Sequence, residues 1–397
     1  MKRRQFLGSS AVVLGAGLLA PKVKAEKSNS ATIKKYRPLG KTGLHMSDIS
    51  FGAGDLSSSS MILRAIDRGI NYFDTAPDYG SSQYLIGKAM KRIQRDKIIL
   101  TSKFCDSENY SGHLPLGASK KDFIQSVEAS LKELNTDYID ICFVHAIGSQ
   151  SRSFDEEKQR LLAEEMLSAV TTLKQSGKIR FLAASSHGPH NVEKLMITAA
   201  ESGHFDVIMP AFNFLKFPKV PEVIKIAKKN GVGVVAMKTL AGAREIDFDS
   251  KGDDFAQAAF KWVLNHKEVD GLVVTIRTIG DLNRFLPASG VAFDSKDQLH
   301  LNRYAQKYGR EICRTGCGDC ESSCNENVEI ASILRHQMYF QDYREPIKAI
   351  KGYQSLQNNA TSCLDCSDES CKIACPHGID VSGMLRKAHE GFSSFLV

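Results

Sequence analysis

Between residues 35 and 288, short runs of apolar residues alternate with amphipathic stretches. Eight runs have the length and the β-branched content of buried strands: 48–54, 72–77, 98–104, 139–146, 181–186, 207–213, 232–238 and 271–276. Between them, "SKKDFIQSVEASLKELN" places Phe123, Val127 and Leu131 on one helical face, and Ser119 precedes them as an N-cap. The alternation predicts an α/β fold with a parallel sheet. Eight strands favour a closed (β/α)8 TIM barrel, and a doubly wound open sheet is the alternative.

The pattern changes after residue 288. A loop is followed by an amphipathic stretch at 296–312, which we interpret as a connecting helix, and then by a cysteine-rich region. In that region, "CNENVEIASILR" (324–335) and "CPHGIDVSGMLR" (375–386) share a first cysteine, two apolar positions and a closing Leu-Arg at equal offsets. We therefore predict a barrel at 35–288 and a small, mostly α-helical module of two half-repeats at 313–390.

The first 25 residues combine a basic start, an apolar stretch at 11–20 and small residues before Glu26. This arrangement is typical of a signal peptide, and the apolar stretch is shorter than the ~20 residues that span a bilayer. We expect no stable membrane span. Arg3 and Arg4 before "QFLG" resemble the twin-arginine export signal. The resemblance implies the twin-arginine export machinery as a partner, which carries folded, cofactor-loaded proteins to a periplasmic or other extracytoplasmic location.

Charge gives little further information about partners. The net charge is +7, and five of the positive residues lie in the first 25 positions, so the rest of the chain is nearly balanced. No basic stripe indicates nucleic-acid binding.

Eight of the ten cysteines fall in two groups of four: Cys313, Cys317, Cys320 and Cys324, and then Cys363, Cys366, Cys371 and Cys375. Disulfides are the ordinary expectation for an exported chain, but thiols this close would close only short loops, which stabilise little. Zinc is a further possibility, because one set of four thiols is enough to bind one zinc ion.

The ending "CKIACP" resembles that of bacterial ferredoxins. This resemblance implies two 4Fe-4S clusters, with the last cysteine of each set ligating the other cluster. One cluster would take Cys313, Cys317, Cys320 and Cys375, and the other Cys363, Cys366, Cys371 and Cys324; sequential assignment is the alternative. The chain departs from the ferredoxin pattern at Asn325, which replaces the proline, and in its longer cysteine spacings.

The stretches "YRPLGKTGLHMS" and "FDTAPDYG" make the region 35–288 resemble the aldo-keto reductase family. The resemblance implies a catalytic tetrad of Asp74, Tyr79, Lys103 and His145. Reduction of a carbonyl by hydride transfer needs a proton donor, and a free tyrosine with a pKa of about 10 donates slowly at neutral pH. Lys103 would assist the phenol, Asp74 would hold Lys103, and His145 would bind the substrate oxygen. We interpret Asp78 as a turn residue and Cys105 as a small packed thiol.

The same resemblance implies a nicotinamide cofactor. The positions that would hold its amide and ring are Ser185, Ser186, Met209, Met237 and Lys238. Arg277 and Thr278 would lie at the adenosine phosphate, and an arginine there favours NADP(H).

Together these features predict an exported oxidoreductase with two 4Fe-4S clusters. It would reduce a small carbonyl substrate or oxidise an alcohol, and a redox partner protein would exchange electrons with the clusters. The alternative is an iron-sulfur electron-transfer or binding protein whose barrel no longer turns over free NADPH.

Overall fold

The computed structural model describes residues 30–106, 113–149, 153–242, 254–343 and 345–395. The predicted signal peptide at 1–25 lies outside these residues. Ala31–Val397 form one compact unit. Across the part of the chain that the structure describes, every helix is too short or too polar to traverse a bilayer.

Eight parallel strands form a closed barrel, and each coincides with a predicted apolar run. They are β3 (Ile49–Gly52), β4 (Tyr72–Asp74), β5 (Ile99–Phe104), β6 (Ile139–Val144), β7 (Ile179–Ser186), β8 (Val207–Pro210), β9 (Gly233–Ala236) and β10 (Gly271–Thr275). The last strand closes the barrel, because Leu272 pairs with Ile49 of the first. This closure confirms the TIM barrel and excludes the open sheet.

Most of the strands end before the apolar runs do. The run at 72–77, for example, is extended only as far as Asp74, and Thr75 and Ala76 are fully buried in the loop that follows. These loop residues are apolar or small because they pack under the rim of the barrel. The C-terminal ends of the strands therefore lead directly into buried loops, which is where barrel active sites are built.

A hairpin closes the opposite, N-terminal end of the barrel. It consists of β1 (Tyr36–Pro38) and β2 (His45–Ser47), which pair antiparallel. Leu39 in its turn and Met46 in its second strand are fully buried and pack in the barrel interior with Tyr72 and Val235. The hairpin thus plugs one end of the barrel and leaves the other end for a functional site.

Helices form the outer layer of the barrel: α1 (Ser59–Asp67), α2 (Ser82–Met90), α3 (Lys120–Leu134), α4 (Phe154–Leu161), α5 (Glu164–Gln175), α6 (Val192–Glu201), α7 (Val220–Asn230), α8 (Phe255–Leu264) and α9 (Ile279–Phe285). The predicted N-cap of α3 is confirmed. The Ser119 hydroxyl accepts from the Asp122 amide, and the Asp122 carboxylate accepts from the Ser119 amide, which together make a capping box.

The region after the barrel is helical, with α10 (Ser295–Tyr308), α11 (Ile330–Gln341), α12 (Pro346–Gln354), α13 (Ser370–Ile373) and α14 (Val381–Ser393). No strand occurs among the described residues of 313–395. The repeat is visible in the fold, since α11 and α14 begin at matching positions of the two half-repeats. Both helices contribute to a second hydrophobic core, which includes Ile333, Leu334, Tyr353, Leu385 and Phe392.

This second core packs against the barrel through α11. The buried guanidinium of Arg335 donates to the Gly188 carbonyl and to the His187 ring, both in the loop after β7. The Lys216 ammonium lies 3.0 Å from the Met338 sulfur. The cysteine-rich region is therefore joined to the barrel at the rim where the strands end.

Candidate active site

The four tetrad residues come together at the C-terminal mouth of the barrel. Asp74 ends β4, Lys103 lies near the end of β5, His145 directly follows β6, and Tyr79 is in the loop after β4. All four line one cleft of about 960 Å3. The arrangement brings together side chains from three successive strands, as the sequence predicted.

A buried ion pair fixes the cation of the site. Lys103 Nζ is 2.8 Å from Asp74 Oδ1, and only 2% and 7% of the two side chains are exposed. The ammonium also donates to the Thr75 carbonyl at 2.9 Å, and the Thr101 hydroxyl donates to the same Asp74 oxygen. Lys103 Nζ lies 4.9 Å from the centre of the Tyr79 ring. The ion pair and the hydrogen bond thus hold the Lys103 ammonium beside the Tyr79 phenol.

His145 lies on the other side of Tyr79, with 6.0 Å between the ring centres. Burial and the nearby Lys103 ammonium hold the pKa of His145 well below its usual range. The imidazole is therefore neutral at neutral pH, and one ring nitrogen carries a proton while the other accepts.

Asp78 is the residue of the site whose role the sequence did not reveal. It does lie in a turn, but its carboxylate is fully buried, with Oδ2 3.5 Å from His145 Nδ1. The Cys105 thiol lies 3.6 Å from the other oxygen. Because His145 is neutral, this contact is a weak polar contact to the ring and not an ion pair. The contact restrains the orientation of the imidazole ring.

A second layer of buried polar groups supports His145 from behind. The Arg160 guanidinium donates to the His145 carbonyl at 3.1 Å and to His113 Nδ1 at 2.9 Å, and it pairs with Glu157 at 3.0 Å. Burial and Arg160 lower the pKa of His113 to about 2. A neutral His113 can therefore accept from Arg160, and this network fixes the end of β6.

Five of the seven residues predicted to bind the nicotinamide nucleotide line the cleft: Ser185, Met209, Met237, Lys238 and Arg277. The hydroxyls of the other two are engaged elsewhere. Ser186 donates to the Ile147 carbonyl at 2.7 Å, and Thr278 caps α9 by accepting from the Asp281 amide at 3.1 Å. The structure thus places five of the seven residues in one cleft. Their role in binding a nicotinamide nucleotide stays a prediction.

Arginines line the cleft near α9. Arg277 pairs with Asp55 at 2.5 Å, and Arg284 pairs with Asp254 at 2.7 Å. The Arg277 and Asp55 side chains are about half exposed, so the pair contributes roughly 1 kcal/mol or less. The guanidinium can therefore exchange this partner for a phosphate at little cost.

The cysteine-rich region supplies part of the cleft wall. Tyr339 at the end of α11, Tyr343 in the following loop and Lys348 in α12 line the same cleft as Tyr79. The sequence showed only that this segment is rich in aromatic residues. Its position over the barrel mouth depends on contacts with residues more than 100 positions away, such as that of Tyr339 with Lys238.

The eight clustered thiols form two groups that cross between the half-repeats. Cys313, Cys317, Cys320 and Cys375 line one small pocket together with apolar residues such as Ile330 and Leu334. In the other group, Cys363 and Cys371 interact electrostatically with Cys324 and Cys366. The Ser370 hydroxyl, next to Cys371, donates to the Ser323 carbonyl, next to Cys324, at 2.7 Å. This grouping matches the crossed assignment, and the binding of a metal stays a prediction.

The closed parallel barrel, with its buried Lys-Asp pair, tyrosine and neutral histidine at the mouth, defines an oxidoreductase of the TIM-barrel class. The profile of the Aldo/keto reductase family matches residues 55–247. The aldo-keto reductase AMT2 of Alternaria alternata is 31% identical over 261 residues, which cover 55% of this chain and 68% of the relative. The chain belongs to the aldo/keto reductase family.

Further relatives extend the similarity across the barrel. The L-galactose dehydrogenase of Arabidopsis thaliana is 26% identical over 292 residues, covering 64% of this chain and 88% of the relative. A solved structure of a putative aldo-keto reductase from Pseudomonas aeruginosa has a TM-score of 0.54 and 26% identity, and the match covers 66% of this chain and 98% of that one.

We expect Asp78 to act through His145. Asp78→Asn should lower kcat/KM for carbonyl reduction roughly tenfold, because a neutral amide holds the imidazole less firmly. In the background of His145→Gln the same change should cost almost nothing. Steady-state kinetics of the two single variants and the double variant measure this coupling. Asp137→Asn, at an exposed position, is the matched control. Equal losses from Asp78→Asn in both backgrounds would show that Asp78 does not act through His145.

Proposed function

We propose that the protein reduces a small carbonyl compound, or oxidises the corresponding alcohol, with Tyr79 as general acid and base. The observation that carries this proposal is the Lys103 ammonium, buried and ion-paired, 4.9 Å from the Tyr79 ring at the barrel mouth. A cation in that position stabilises the phenolate that forms when the hydroxyl gives up its proton.

Each of the four tetrad residues has a separate role in the proposed reaction. Tyr79 donates a proton to the oxygen of the carbonyl as negative charge develops there, and Lys103 stabilises the resulting phenolate. Asp74 keeps the ammonium in place. The neutral imidazole of His145 orients the substrate oxygen by a hydrogen bond, and the network behind it restrains its movement.

The cleft fits a nicotinamide nucleotide, which would supply the hydride when bound. The apolar side chains of Met209 and Met237 and the hydroxyl of Ser185 lie in the cleft with Tyr79, where the ring would bind. Arg277 lies toward α9 and can pair with a phosphate after releasing Asp55. We propose NADP(H) as the cofactor, in keeping with its general use in this family.

Tyr79→Phe tests the proposed chemistry directly. The variant should lose 10²- to 10⁴-fold in kcat for NADPH-dependent reduction of an aldehyde, because it lacks the hydroxyl that would give its proton to the carbonyl oxygen. Its affinity for NADPH, measured by fluorescence titration, should be retained. Tyr84→Phe, at an exposed position of α2, is the control and should behave as wild type.

Undiminished turnover by Tyr79→Phe would contradict the assignment of the general acid. If the wild type binds no nicotinamide nucleotide, the electron-transfer or binding protein becomes the better proposal.

We further propose that the two crossed sets of cysteines hold two 4Fe-4S clusters, which would supply one-electron transfer. All ten cysteines, each within the described residues, are free thiols. A tetrahedral zinc site with bonds of about 2.3 Å brings its sulfurs to within roughly 4 Å of each other. Among the described residues, the one group whose ligand atoms all lie within 4.8 Å of one another is Asp78, Cys105 and His145, not a set of clustered cysteines. The wider spacing of the thiols favours a polynuclear centre.

Metal analysis of anaerobically purified protein should give about eight iron atoms and eight sulfides per chain. Cys313→Ser with Cys375→Ser should remove one cluster and leave about four iron atoms. Cys313→Ser with Cys324→Ser should remove both clusters, because these residues belong to different crossed sets.

The opposite pattern in the two double variants would support sequential ligation. Stoichiometric zinc without iron would contradict the clusters altogether. Cys142→Ala, in the barrel core, is the control and should keep all eight iron atoms.

Export by the twin-arginine route is the third part of the proposal, supported by Arg3 and Arg4 ahead of "QFLG". Exchange of both arginines for lysine keeps the charge but removes the guanidinium groups that the resemblance implies are recognised. The precursor should then accumulate in the cytoplasm, as shown by cell fractionation and immunoblotting. Exchange of Lys22 and Lys24 for arginine is the control. Unchanged export of the Arg3→Lys, Arg4→Lys variant would indicate the general secretory route.

A further inference from the structure

Three cationic side chains converge on one phenol in the wall of the cleft. Lys238, just after β9, places Nζ 2.9 Å from the Tyr339 hydroxyl, and Arg335 donates to the same hydroxyl at 3.0 Å. Lys348 places Nζ 4.1 Å from the centre of the Tyr339 ring. The barrel, α11 and α12 each contribute to this group, which we call the cationic wall (Lys238, Arg335, Tyr339 and Lys348).

Carboxylates also lie near the cationic wall. Lys348 pairs with Glu345 at 2.8 Å, and Asp342 also lines the cleft. Lys103, deeper in the cleft, already has Asp74 as its partner. Among the described residues, three cations meet at one phenol in a buried position, and buried positive charge favours an anionic partner.

The pKa of Tyr339 reflects the positive charge around its hydroxyl group. Burial alone would raise the pKa of this phenol, but Arg335, Lys238 and Lys348 outweigh burial and hold it well below its usual range. The surroundings of Tyr339 thus favour a negative charge at the wall.

The cationic wall lies within reach of the reacting atoms. Tyr79, His145, Lys238 and Lys348 all line the same cleft, and Lys348 is close enough to His145 to lower the pKa of that imidazole. A substrate whose carbonyl oxygen is held by Tyr79 and His145 can therefore extend toward Lys348. Of the predicted nucleotide positions, Lys238 alone belongs to the cationic wall. The other three members of the wall lie in the cysteine-rich region, which leaves Lys348 to the substrate.

We propose that the cationic wall binds a carboxylate on the substrate, so that the enzyme acts on small carbonyl compounds that are also carboxylic acids. Arg335 donates to Gly188, His187 and Tyr339. Each lysine ammonium has three donors, so Lys238 at Tyr339 and Lys348 at Glu345 can also donate to a ligand. Two point charges on flexible stems suit a singly charged carboxylate. The inference rests on the proposed function, because it assigns the class of substrate to the same cleft.

Two aldehydes that differ only in charge test the subsite by turnover. Wild-type enzyme should reduce 4-formylbenzoate with a higher kcat/KM than its methyl ester. Lys348→Gln should lower this preference roughly tenfold to a hundredfold, as expected for loss of a hydrogen bond to a charged group. Lys348→Arg should keep most of it. Lys351→Gln, exposed on the same helix, is the control and should leave the preference unchanged.

Calorimetric binding tests the subsite without turnover. 4-(Hydroxymethyl)benzoate should bind wild type at least tenfold more tightly than its methyl ester, and Lys348→Gln should remove the difference. If neither aldehyde is reduced but this difference is found, the proposed reaction fails and the subsite stands. If both aldehydes are reduced equally well and the two alcohols bind equally, the subsite is wrong and the proposed reaction stands.

Discussion

The buried ion pair between Lys103 and Asp74 is the interaction on which the site depends. Transfer of two charges out of water costs several kcal/mol for each ion, and the pair is tolerated only when hydrogen bonds satisfy the remaining groups. Here Thr101 donates to Asp74, and the Thr75 carbonyl accepts from Lys103. Because Asp74 and Thr101 pair across neighbouring strands, the barrel register itself brings these groups together. The placement of a cation beside Tyr79 follows from this register.

The cysteine-rich region is built into this site and is not an independent tail. Leu334 of α11 lines the pocket that contains Cys313 and Cys375, and Tyr339 of the same helix lines the active-site cleft. Five residues of α-helix span only about 7.5 Å along its axis. One helix therefore lines both the pocket of these thiols and the active-site cleft.

Much of this arrangement could be predicted from the sequence, because the signals were local. The eight apolar runs coincide with strands, and the tetrad was recognisable from short motifs at strand ends. The antiparallel hairpin at Tyr36–Pro38 and His45–Ser47 was missed, because three-residue strands are too short to show an alternating pattern. The predicted strands extend beyond the observed ones wherever the buried loop that follows is as apolar as the strand.

The remaining features depend on contacts between distant parts of the chain. Asp78 reads as an ordinary turn residue, and only the fold shows its carboxylate beside His145 and Cys105. Arg160 supports His145 from a helix whose sequence is mostly polar and charged. Lys238 could be placed at the cleft by resemblance to the family, but its contact with Tyr339 could not, since 101 residues separate them.

The central claim is that this barrel transfers hydride between a nicotinamide and a carbonyl carbon with Tyr79 as the proton donor. Its most direct test is to supply NADPH deuterated at the reacting position of the ring, together with an aldehyde, under anaerobic conditions. Mass spectrometry of the alcohol should show one deuterium on the former carbonyl carbon and none exchanged with solvent. An alcohol without deuterium, or loss of the label to water, would contradict direct hydride transfer and with it the account of this site.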